Sequence, residues 1–112
     1  MKDFCQEYLA FLTDDKFECY VNSNDVNTNI TIIDRDPVSG RARDFYWSEI
    51  EDDFIPFLQI LSERYTIAYN RIILTAYNQY HKAFSIKDAI DGKIPEHVTC
   101  NSVSLQIDKK ID

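Results

Sequence analysis

The chain predicts an α+β fold: a largely antiparallel sheet with an N-terminal helix, a three-stranded meander, two or three helices on one face and a C-terminal strand. Three observations predict it. Apolar residues recur at helical spacing near the start and again after residue 48. Short aromatic and β-branched runs between 17 and 46 are separated by turn residues. Near the C-terminus, apolar and polar residues alternate strictly. The length of 112 residues predicts a single domain, 1–112, and the 45% hydrophobic content supports a real core. Each buried Ile, Leu or Phe contributes roughly 1.5–3 kcal/mol.

Phe4, Cys5, Tyr8, Leu9 and Leu12 place a helix over 2–13, ended by Thr13-Asp14-Asp15. Phe17 to Val21 reads as a strand and Ser23 to Asn27 as a turn. Ile30, Ile32 and Ile33 give a second strand. Asp36-Pro37-Val38-Ser39-Gly40 is a further turn before a third strand from Ala42 to Tyr46.

Ser48 and Glu51 have the spacing of a capping box. Ile50, Phe54, Phe57, Leu58, Leu61 and Tyr65 continue from it as an amphipathic helix. Pro56 lies inside this stripe and lacks a backbone donor, which predicts a kink or, preferably, a break into two helices. Thr66 to Tyr69 can form a strand, yet Tyr69, Ile72, Ile73, Ala76, Tyr77, Tyr80 and Phe84 fit a helical stripe. Helix is the reading preferred over 66–84, against the β preference of Ile72-Ile73. Ser85 and Asp88 form a second box, opening a short helix over Ile86–Asp91 that stops at Gly92. From Val98 to Ile107, Val103, Leu105 and Ile107 alternate with Ser102, Ser104 and Gln106, a half-buried strand.

Charge is distributed unevenly. Residues 1–60 hold 13 acidic and 5 basic residues, a balance of −8, whereas 61–112 hold 6 and 7, a balance of +1. The net charge of −7 thus resides in one half of the chain. Such a surface attracts basic partners and repels nucleic acid and anionic lipid. Arg41 and Arg43 sit amid acids, so direct nucleic-acid binding is not expected.

With only Gly40 and Gly92, glycine-rich phosphate loops are excluded. Cys5, Cys19 and Cys100 are odd in number and widely spaced, which suits reduced thiols. Neither a signal peptide nor an apolar run of about 20 residues is present, so a soluble cytoplasmic protein is expected.

Four groupings invite a functional reading. Glu49, Glu51, Asp52 and Asp53 complement a helix N-terminus, and with Asp34, Asp36 and Asp44 they extend an acidic face. Tyr46 and Trp47 beside it are candidate interface anchors. Asp34-Arg35-Asp36 has the spacing of a Mg²⁺-binding Asp-x-Asp, though it reads better as a hairpin turn. His97 and Cys100 provide at most half of a zinc site or a Cys–His pair. No cofactor, metal ligand or catalytic residue is therefore expected. The expected partner-binding residues are Asp34, Asp36, Asp44, Tyr46, Trp47, Glu49, Asp52 and Asp53.

The helix at 2–13, the meander from Phe17 to Tyr46 and the helix opening Trp47-Ser48-Glu49-Ile50-Glu51-Asp52-Asp53 together resemble small acidic phage-encoded anti-defence proteins, including one class of anti-CRISPR inhibitors. The likeness is one of layout over about three quarters of the chain and transfers no residue by identity. It implies a non-enzymatic inhibitor, acting in the host cytoplasm, whose carboxylates stand in for phosphates in a basic nucleic-acid groove of a nuclease. Two alternatives remain. One is an immunity protein neutralising a basic toxin. The other is a small metal-dependent hydrolase using Asp34 and Asp36.

Overall fold

A computed structural model describes residues 2–10, 17–76 and 81–109. The element order is α1 (Lys2–Leu9), β1 (Phe17–Ser23), β2 (Asn27–Arg35), β3 (Ala42–Arg43), β4 (Phe45–Tyr46), α2 (Ser48–Arg64), β5 (Ile67–Thr75), β6 (His81–Phe84), α3 (Ile86–Ile90), β7 (Thr99–Cys100) and β8 (Ser102–Lys109). All strand pairs are antiparallel. The main sheet has the order β1-β2-β8-β5-β6, with β3 also paired to β2. The last strand therefore lies between β2 and β5.

Alternation along these strands sorts two faces. Ile30, Leu105 and Ile72 stand opposite one another across β2, β8 and β5, as do Ile32, Val103 and Leu74. All six are at most 1% exposed and floor the core. The helices lie over this floor. Ile50, Phe54, Phe57, Leu58 and Leu61 of α2 are fully buried, one stripe at helical spacing. The N-terminal helix seals the far end of α2: Phe4 stacks on Phe57 at 5.9 Å, and the Arg64 guanidinium lies 4.5 Å over the Phe4 ring. The opposite sheet face carries no helix. It presents half-buried Ile33, Ile73, Ser104 and Gln106 and, near its margins, Tyr20 and Tyr69, each about half exposed.

The turns follow from local chemistry. Asn24 Oδ1 accepts from the backbone N–H groups of Val26 and Asn27, closing the β1–β2 hairpin. Asp36 Oδ1 accepts from Val38 N, and Gly40, at φ 73°, returns the chain toward β3. Ser85 and Asp88 form the complete reciprocal box at the start of α3.

Four expectations are corrected. The preferred helix over 66–84 is replaced by a hairpin of β5 and β6, with 77–80 outside the described residues. The stripe Tyr69, Ile72, Ile73 and Ala76 fits either period, and pairing with β8 decides. Ile72 and Leu74 then face the core while Ile73 faces away. The proposed third strand is split: β3 extends the edge of β2, whereas β4 departs to pair with β7. The capping box at Ser48 and Glu51 does not form. Trp47 is the N-cap, in a helical conformation with no side-chain cap bond. Finally, α2 runs unbroken through Pro56. Pro56 and Asp52 are both exposed, so the Asp52 carbonyl that loses its helical donor faces water. Residues 11–13 of the first expected helix lie outside the described residues.

Because the helix continues through Pro56, Pro56→Ala restores one helical hydrogen bond. It should stabilise the protein by about 1–3 kcal/mol in urea unfolding; a neutral or negative change would mean that the proline sits in a helix start.

Candidate partner-binding face

The start of α2 is built by residues far apart in sequence. Tyr46 on β4 pairs with Thr99 on β7, which draws the preceding loop over the helix N-terminus. Trp47 N donates to the Val98 carbonyl at 3.4 Å, and Ser48 N donates to the Glu96 carbonyl at 3.2 Å. These two loop carbonyls serve donors next to a helix end that lacks a side-chain cap. Trp47 itself is fully buried, edge-on to Phe54 at 5.9 Å, and locks the corner. Glu49 reaches back: its Oε2 accepts from Tyr46 N at 2.7 Å.

The consequence is a crowd of carboxylates. Asp44, Glu49, Asp52 and Asp53 are exposed, Glu51 is half-buried, and the docked loop adds exposed Glu96. Among the described residues, Asp44, Asp52, Asp53 and Glu96 enter no ion pair. Partial burial, then the charges of Glu96 and Asp52, raise the Glu51 carboxyl above its ordinary value of 4.5. Beneath the face, Cys100 Sγ lies 3.6 Å from the Phe45 carbonyl. Burial pushes its thiol up to about 12, and Asp44 and Glu49 add to the shift. A thiol so held is a poor nucleophile near neutral pH.

Tyr46 is 47% exposed at the margin of this cluster, with the His97 ring edge-on at 6.0 Å. It presents an aromatic surface among the acids.

Two of the expected partner-binding residues are interior. Asp34 is 2% exposed, and its Oδ1 accepts from Arg43 at 2.9 Å, an ion pair that ties β3 to β2. Trp47 is an anchor of the core and not of an interface. Asp36 is occupied by its own turn, and the Val38 N–H lowers its pKa. The structure thus brings together Asp44, Tyr46, Glu49, Asp52 and Asp53, and it separates Asp34, Asp36 and Trp47 from them. With Asp34 and Asp36 held in this way, the Asp-x-Asp arrangement has no open pair of carboxylates. Among the described residues, no group of three or more His, Cys, Asp or Glu side chains is arranged to hold a metal ion. No described helix is long and apolar enough to cross a membrane.

Glu96 and His97 belong to this face but carry no local signal in the sequence. Only the β4–β7 pairing brings them there. Comparison with protein families, curated proteins and solved structures finds no match for the chain.

The raised Glu51 pKa has a definite sign. Its favourable contribution is complete below the unfolded value and is lost as pH rises through the folded value. Glu51→Gln should therefore be more stable than the parent at pH 7, with the difference closing as pH falls to about 4.5. Equal pH profiles in denaturant unfolding would show that the carboxylates do not repel.

Proposed function

We propose that the protein is a non-enzymatic inhibitor that docks the carboxylates at the start of α2 onto the basic nucleic-acid groove of a nuclease. The observation that supports this most is the gathering of Asp44, Glu49, Asp52, Asp53 and Glu96 on one end of the molecule, with four of the five outside any described ion pair. The fold places like charges together and leaves them without cations, where a stability-driven surface would intersperse both signs. Tyr46 supplies an exposed aromatic beside them, a residue type enriched in contact surfaces.

The mechanism follows from electrostatics. Carboxylates spaced along a helix face present a series of negative charges to arginines and lysines that otherwise hold phosphates. Long-range attraction raises the encounter rate, and salt screens it over about 8 Å at physiological ionic strength. Relief of the repulsion around Glu51 would add to binding, since a cation beside it favours the ionised form.

Competition tests this reading. The chain is titrated into complexes of fluorescent DNA with two classes of basic protein: an RNA-guided defence nuclease and a set of toxin nucleases. The reading predicts displacement of DNA from the defence nuclease, weakening steeply as salt rises; selective action on a toxin nuclease would identify an immunity protein instead. Asp44, Asp52 and Asp53 replaced together by Lys change the net charge from −7 to −1 and leave Glu49 in its structural bond. This variant should fold and lose at least about 100-fold in potency, equivalent to roughly 1 kcal/mol or more per site. A folded variant of unchanged potency would overturn the proposal.

A further inference from the structure

The helix-free face of the sheet differs from the rest of the molecule. On a chain of net charge −7, its described side chains include two acids, Glu18 and Asp108, and two arginines, Arg35 and Arg71. The face is therefore neutral, and its charges occupy opposite corners. Glu18 and Arg35 pair at 3.0 Å, with Tyr20 hydrogen-bonded to Glu18, at the β1–β2 corner. Arg71 and Asp108 lie on β5 and β8, where Asp108 pairs with Asn27, six positions along β2 from the partner of Glu18. At the rise of an extended strand that separation is about 20 Å. Tyr20 and Tyr69, 51% and 49% exposed, are the large aromatics of this face.

We propose that this face is the contact between two copies of the chain. A two-fold axis in the plane of contact lays the Glu18–Arg35 corner of one copy over the Arg71–Asp108 corner of the other. The argument is one of charge complementarity. Two molecules of charge −7 repel at long range, and approach through the α2 end sets acid against acid. The open sheet face has no net charge and meets itself with opposite signs at each corner, as an isologous interface requires. Tyrosine and arginine are also enriched in interface cores, where lysine and glutamate are depleted. Five strands about 4.8 Å apart and some 20 Å long cover roughly 500 Å² in projection, at the small end of specific contacts. The complex is accordingly a weak dimer.

Sedimentation equilibrium at protein concentrations up to about 1 mM, in low and high salt, tests this. The proposal predicts a dimer that tightens several-fold as salt rises, because screening removes the net repulsion; docking of acids on a basic partner weakens over the same range. Arg71→Glu makes the face acidic, and Tyr69→Ala removes an anchor that is half in solvent. Each should weaken the dimer by about tenfold or more with unchanged circular dichroism. If Arg71→Glu does not fold, Tyr69→Ala alone decides. A monomer under all conditions, a dimer unaffected by a folded variant, or one that loosens with salt would overturn the proposal. So would binding of a single-stranded RNA oligonucleotide probe that Tyr69→Ala abolishes, which would assign the face to nucleic acid.

Discussion

The structure depends on the insertion of β8 between β2 and β5. This strand supplies Val103, Leu105 and Ile107, and its two ladders set the register of both neighbours. Without it, β1-β2 and β5-β6 are separate hairpins, neither of them stable alone in water. The helices also need it. The buried stripe of α2 faces a floor in which every row passes through β8.

The same insertion assembles the acidic face. Because β8 must enter the sheet centre, the chain just before it crosses over the start of α2. β7 then pairs with β4, and the loop carbonyls of Glu96 and Val98 receive the backbone donors of Ser48 and Trp47. A helix start that lacks a side-chain cap is completed by backbone 45 or more residues away. Closure brings Glu96 beside Glu51, so the carboxylates are crowded by the topology and not by local sequence alone. Fold and electrostatics thus share one cause. The opposite sheet face stays neutral, so the molecule has two surfaces with opposite responses to salt.

Local chemistry made much of this legible. The turns at Asn24 and Asp36, the reciprocal cap at Ser85 and the alternation of β8 follow from residues that interact within a few positions. The acidic opening of α2 was visible as well. Long-range choices were not. Residues 67–75 satisfy both helical and strand periods, and only the ladder to β8 selects one. At Pro56 the local preference for a break is overridden by five buried side chains, which hold α2 in one piece. Trp47 looked like an interface residue because its neighbours are charged, yet it is fully buried on Phe54. Asp34 looked exposed for the same reason, and Arg43 on the next strand draws it inward.

The central claim is that insertion of β8 docks the Glu96 loop onto α2 and forces the carboxylates together. Carboxyl ¹³C titration of Glu51 by NMR tests it most directly. The account predicts a pKa above 4.5 that moves back toward that value in Glu96→Gln. A pKa at or below 4.5, unaffected by Glu96→Gln, would contradict it.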